Sequence, residues 1–162
     1  MASAVERELK LAAPEGFRLP EVGDVAAGVV VGTDEELRQT LAVNLEGPFR
    51  LTRAVVGGMV ARGRGTVLNV SSDAAVEAYP TWGAYGASKA ALDHLSRIWA
   101  AELEGTAVRV VSVDPGEMDT AMHAAAIPDA DPAALARPED VAAAIIDRLE
   151  SAAGGARLQV AS

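Results

Sequence analysis

Residues 66–113 read TVLNVSSDAAVEAYPTWGAYGASKAALDHLSRIWAAELEGTAVRVVSV, and this stretch decides the fold. Its first five residues, TVLNV, form a β-branched apolar run after Gly63-Arg64-Gly65 and predict a strand buried on both faces. Small and polar residues follow over 71–83, the composition of a loop beyond the strand's carboxyl end. Ala87, Ala91, Leu92, Leu95, Ile98, Trp99 and Leu103 then recur at spacings of three and four, which predicts a helix over 84–104 that stops at Gly105. AVRVVSV at 107–113 is a second apolar run, closed by Asp114-Pro115-Gly116. Strand, long helix and strand in succession make a parallel crossover unit, because strands running the same way need a long connection between them.

Upstream, Thr33 opens T-D-E-E with Glu36 three residues on, the signature of a capping box. The helix it starts carries Leu37, Leu41, Leu45, Phe49, Val55, Val56, Met59 and Val60 and runs over 34–62. Gly47-Pro48 should bend it, since Pro48 has no N–H for the carbonyl of Asn44, and Asn44 therefore sits at a kink. DVAAGVVVG at 24–32 reads as a short remnant strand, and 1–23 as an irregular lead-in. Downstream, Pro138-Glu139-Asp140 opens a third helix with an acidic first turn, and 157–160 reads as a last short strand. The pattern gives an irregular segment at 1–32 and one α/β domain at 33–162, a three-layer parallel sheet of Rossmann-like kind. In such sheets ligands bind beyond the carboxyl ends of the strands, which puts Ser71, Ser72, Pro115 and Gly116 at the candidate site.

Composition narrows the function. A net charge of -9 lacks the field of Lys and Arg that a nucleic-acid partner requires. With no Cys and only two His, the chain has neither a Cys-based zinc site nor a His cluster, and no metal is expected. No run of about 18 apolar residues is present, and the first ten residues are charged, so no membrane span or secretory leader is expected and the cytoplasm is the expected location. Of the 14 basic residues only Lys10 and Lys89 are lysine. A lysine in so arginine-rich a chain suggests a place where a compact ammonium is needed.

Lys89 lies four residues after Tyr85, so the two side chains share one helix face, about 5–6 Å apart at Cβ. A phenol is a poor base near neutral pH, but a neighbouring ammonium favours the phenolate, which can exchange a proton with an alcohol or carbonyl oxygen. Alone, Y-x-x-x-K describes many amphipathic helices. Here Ser72 stands at a strand end, where its hydroxyl can donate to the same substrate oxygen. Asn44 marks the kink, and Thr120 completes P-G-x-x-x-T. Trp99 reads as core, His94 as the polar edge of its helix and Ser71 as turn structure. G-A-S-K-A at 86–90 lacks the last glycine of a nucleophile elbow and falls inside a helix, so a serine hydrolase is rejected.

Asn44 in VNLEG, Ser72 in LNVSS, Tyr85 and Lys89 in YGASK, and PGEMDT after AVRVVSVD together resemble the short-chain dehydrogenase/reductase family over about residues 34–150. The resemblance implies an NAD or NADP cofactor and hydride transfer between nicotinamide and a small-molecule carbonyl or alcohol. It implies Tyr85 as acid and base, Ser72 as the group orienting the substrate oxygen, and Lys89 as the cation beside Tyr85 that also holds the nicotinamide ribose. Asn44 would anchor a water in the proton relay, and Pro115, Gly116 and Thr120 would face the nicotinamide. Asp73, Tyr79, Trp82, Met118, Met122 and His123 would flank the substrate cleft. Helices 34–62 and 85–104 resemble the pair through which the family forms homodimers or homotetramers.

The sequence departs from the family over the residues before Asn44, of which there are only 43 where the family has roughly three strand and helix units. The family's T-G-x-x-x-G-x-G turn, whose glycines let the backbone approach a pyrophosphate, is not found, and N-N-A-G has only A-A-G at 26–28 as a faint counterpart. The expectation is a family enzyme in truncated or internally deleted form, lacking the first βαβ units. The alternatives are a non-catalytic pairing module, and an isomerase or dehydratase that uses Tyr85 and Lys89 without a dinucleotide.

Overall fold

The computed structural model describes residues 32–160, and the strand expected at 24–32 falls almost wholly outside them. Thr33 caps helix α1 (Asp34–Leu41) through both halves of the capping box: its Oγ1 accepts from the Glu36 N–H at 3.1 Å, and its own N–H donates to Glu36 Oε2 at 2.7 Å. The bend expected near Pro48 takes the form of a π-turn over Ala42–Glu46, where the Gly47 N–H reaches back to the Ala42 carbonyl. A proline that cannot close the ordinary ladder is accommodated by widening the turn before it. Helix α2 (Gly47–Ala61) follows and ends on Gly63 at φ +66°.

Strands β1 (Gly65–Val70), β2 (Val108–Asp114) and β3 (Arg157–Gln159) form one parallel sheet in that order. Asn69 pairs with Ser112 across β1 and β2, and Ser112 with Arg157 across β2 and β3. Helix α3 (Gly83–Glu102) connects β1 to β2; the short α4 (Ala121–Ala126) and α5 (Pro138–Ser151) lie between β2 and β3. Side chains alternate along a strand, so the bonds they make identify the two faces. Asn69 donates to Ser96 of α3 at 2.8 Å, whereas Arg109 donates to the Leu149 and Ala152 carbonyls at the end of α5. Helices α3 and α5 thus cover opposite faces, which gives the expected three layers.

Val110, Val111 and Val113 of β2 are fully buried, each contributing roughly 1.5–3 kcal/mol by removal from water. The expectation of burial on both faces holds for β2 and not for β1. In β1 only Asn69 is buried and Val70 is half exposed, because among the described residues no strand pairs with its outer edge. Ser71 is not turn structure. It is buried, and its N–H continues the ladder to the Val113 carbonyl at 2.6 Å.

Candidate active site

The carboxyl ends of β1 and β2, the first turns of α3, and α4 surround a cavity of about 600 Å³. Its wall contains Ser72, Asp73, Tyr79, Trp82, Tyr85, Lys89, Pro115, Gly116, Met118, Thr120, Met122 and His123, so twelve of the thirteen residues to which the resemblance gives a place at the site come together. Asn44 is the exception. Its side-chain amide donates to Ser88 Oγ at 3.0 Å, and Ser88 returns its proton to the Tyr85 carbonyl at 2.7 Å. Asn44 therefore braces the Tyr85 turn from behind and does not line the cavity.

Each wall residue is held by an identifiable local cause. Ser72 has extended backbone and caps the short turn Asp73–Ala75, with its Oγ accepting from the Ala74 N–H at 3.2 Å and donating to Asp73 Oδ1 at 2.9 Å. Asp73 Oδ2 accepts from the Tyr79 hydroxyl at 2.6 Å. Burial works against the Asp73 carboxylate, but bonds from Tyr79, Ser72 and the Ala74 N–H, with the charge of Arg157, hold its pKa below the usual value. The same bond to Asp73 pushes the Tyr79 phenol up to about 12. Tyr79, Trp82 and Tyr85 form a row of rings with centroids 5.5 and 5.6 Å apart, the second pair edge to face. Thr81, within this row, has φ +74°, a strained value for a β-branched residue.

Lys89 Nζ stands 5.5 Å from the Tyr85 ring centroid and donates to the Val70 carbonyl at 2.9 Å. Burial lowers its pKa, and the charge of Asp93 one turn along raises it in part. Gly86 lets α3 meet the Asp73–Ala75 turn: a Cβ there would lie 2.8 Å from the Ala74 carbonyl oxygen. Gly116 takes φ +75° after Pro115, and its N–H donates to Asp114 Oδ1 at 3.1 Å. Thr120 Oγ1 caps α4 by accepting from the His123 N–H. His123 also lines the cavity, with both ring nitrogens buried and without a hydrogen-bond partner and Nε2 3.6 Å from Glu117 Oε1.

Sequence reasoning missed Glu36, Thr40, Thr81 and Glu117 in the wall. Glu117 was within reach, since it falls inside PGEMDT, whereas Glu36 and Thr40 enter only through the way α1 lies against α3. Among the described residues no three His, Asp or Glu gather as a metal site, and no helix is long and apolar enough to cross a membrane.

A family model described as short chain dehydrogenase matches residues 26–131. The chain is 35% identical over 121 residues to the 3-oxoacyl-acyl-carrier-protein reductase FabG of Thermotoga maritima, covering 70% of this chain and 49% of that protein. It is 37% identical over 120 residues to 2-(S)-hydroxypropyl-CoM dehydrogenase 3 of Xanthobacter autotrophicus, covering 65% of this chain and 47% of that one. It spans about half the length of these curated relatives, both oxidoreductases by name. A solved short chain dehydrogenase from Escherichia coli CFT073, complexed with NADPH, superposes with TM-score 0.72 at 25% identity, over 85% of this chain and 61% of its own. The layered parallel sheet is the Rossmann-like fold of such neighbours.

Proposed function

We propose a function from one premise: the chain belongs to the short chain dehydrogenase family. Residues 33–162 then serve as the reaction end of an oxidoreductase that interconverts a small-molecule carbonyl and its alcohol, with Tyr85 as acid and base. The observation that carries this reading is the position of Lys89. Its ammonium lies over the Tyr85 ring and, among the described residues, makes a single protein hydrogen bond, to Val70, in a cavity wall that also presents the Ser72 hydroxyl. An ammonium has three donors, so two remain for a ribose hydroxyl pair.

The donor set at this end fits a nicotinamide cofactor. Lys89 has donors to spare, Gly116 lets the backbone turn toward the cavity, and Thr120 keeps its hydroxyl proton while its oxygen caps α4. When bound, NAD or NADP supplies or accepts the hydride at the substrate carbon. In the reducing direction Tyr85 gives its phenolic proton to the carbonyl oxygen, and Lys89 stabilises the phenolate that is left. The Ser72 hydroxyl turns from Asp73 toward the same oxygen, and Asp73 keeps its bonds to Tyr79 and the Ala74 N–H. Asn44, working through Ser88, holds the Tyr85 turn in place.

A pairing role is proposed alongside. Leu45 and Phe49 from the α1–α2 arm and Ala91, Leu95 and Ile98 from α3 line an outer groove of about 610 Å³. Helices 34–62 and 85–104 are the elements through which a second copy would dock, as a homodimer or homotetramer.

The decisive experiment is Tyr85→Phe. Loss of a positioned general acid lowers turnover by about 10²–10⁴-fold, so NADPH- or NADH-dependent carbonyl reduction should vanish while the circular dichroism stays that of the parent. Undiminished turnover would overturn the assignment. Failure of the parent to quench or enhance the fluorescence of either reduced cofactor would favour the pairing role alone.

A further inference from the structure

Arg157, at the start of β3, is bound to three elements of the site at once. Its Nε donates to Asp93 Oδ2 of α3 at 2.9 Å. Its Nη2 donates to the Ser72 carbonyl at 2.9 Å and to Asp114 Oδ2 at 3.2 Å. Asp93 and Asp114 are buried, with side chains 9% and 7% exposed, and Arg157 is itself 22% exposed. We propose that Arg157 is a positioning residue that locks the Ser72 backbone to the end of β2 and to the Lys89 helix. In that place it also balances two buried carboxylates, Asp93 one turn along α3 from Lys89 and Asp114 at the end of β2.

The geometry gives the reason. Ser72 follows the last residues of β1, an edge strand among the described residues, and its carbonyl, outside the ladder, accepts from the Ala75 N–H at 3.0 Å and from Arg157, the bond that ties it to another element. A planar fork with several donors in fixed directions can hold that carbonyl and two carboxylates simultaneously, which a lysine ammonium on a flexible stem does poorly. Asp93 lies one helical turn after Lys89, and its charge opposes the effect of burial there. Arg157 partly cancels that charge and also acts on Asp73. The other titratable groups lining this cavity are Glu36, Tyr79, Tyr85, Glu117 and His123, and Arg157 bonds instead to Asp93, Asp114 and the Ser72 carbonyl.

This inference rests on the reading of Ser72, Tyr85 and Lys89 as the reaction centre, and the test separates the two. Lys10 and Lys89 are the only lysines, so reductive ¹³C-methylation of the full chain gives two lysine signals, assigned with Lys10→Arg. The variants are Arg157→Met, Arg157→Lys and Asp93→Asn. Removing Arg157 leaves two buried carboxylates uncompensated, which makes Asp93→Asn the milder second arm. The Lys89 titration should move up in Arg157→Met, stay near the parent in Arg157→Lys, and move down in Asp93→Asn. Turnover in Arg157→Met should fall by about tenfold or more with the substrate KM little changed, as expected when the Ser72 hydroxyl is misplaced, and Arg157→Lys should recover part of it. An unmoved Lys89 signal in both Arg157→Met and Asp93→Asn overturns the inference, as does full turnover in folded Arg157→Met. A parent that reduces no carbonyl while Lys89 shifts as stated refutes the proposed reaction and leaves the Arg157 bracket standing.

Discussion

Replacing Gly86 by alanine tests whether α3 and the Ser72 turn are in backbone contact. The added Cβ would stand 2.8 Å from the Ala74 carbonyl oxygen, where carbon and oxygen ordinarily stop at about 3.3 Å or more. One of the two backbones must therefore retreat by about 0.5 Å. Alanine is favoured over glycine inside a helix by about 0.8–1.0 kcal/mol, while forced overpacking costs about 1–3 kcal/mol. The control is Gly57→Ala in α2, where a Cβ would meet nothing within 4 Å. It should gain the propensity term without the clash and melt higher than the parent. The two variants should then differ by about 1–3 kcal/mol, or roughly 2–12 °C in Tm for a chain of this size. Carbonyl reduction should fall about tenfold or more in Gly86→Ala alone, because the turn that shifts carries Ser72. Equal stabilisation by the two substitutions, with turnover preserved in both, would refute the contact and the argument that the helix sets the Ser72 hydroxyl.

The Asp73–Tyr79 pair has a pH signature. In Tyr85→Phe only Tyr79 can form tyrosinate, so its ultraviolet absorbance should titrate at about 12, and Asp73→Asn should return it toward 10.0. The sign for stability follows from which form each partner prefers. The depressed Asp73 contributes above its ordinary 3.8 and loses that contribution as pH falls through its lowered value. Tyr79 contributes below 10.0 and loses it as pH rises through about 12. Urea denaturation of Tyr79→Phe and the parent should converge at both extremes and differ most between them. Thr81→Gly should raise stability by about 1 kcal/mol, since relief of a strained φ outweighs the added freedom of the unfolded glycine, and an unchanged or lower urea midpoint would contradict the strain.

Much of the architecture could be read from residue order. The β2 strand is an unbroken apolar run and is buried as such. Helices α3 and α5 announce themselves by spacing, by Gly105 and by Pro138, and the Pro48 bend follows from a missing N–H. Helix α4 could not be read, because six residues hold too few turns for a period, and its only marker, Thr120, had been assigned another role. The half-exposed state of β1 depends on what lies beside its outer edge, a property of pairing that no local pattern encodes. The gathering of Ser72, Tyr85 and Lys89 was legible because strand ends and a helix face bring them to one end of the sheet. Arg157 was not legible, since its partners at 72, 93 and 114 meet only through the register of β3 against β2. Asn44 shows the converse: its kink was foreseen from Pro48, but its bond to Ser88 depends on how two helices lie together.

Two amide-to-hydroxyl bonds on α3 have a mechanical consequence. Ser88 receives Asn44 from the π-turn and Ser96 receives Asn69 from β1. The two serines are separated by about 12 Å along the helix axis and by roughly 80° around it. Around the first of these serines the helix is rich in alanine, with Ala84, Ala87, Ala90 and Ala91, so this part of it presents low relief and packing alone would hold its azimuth weakly. Pins at two heights and two bearings oppose both screwing and sliding. A slip of a single residue would swing the cylinder by about 100° and turn its phenol and amine away from the chamber.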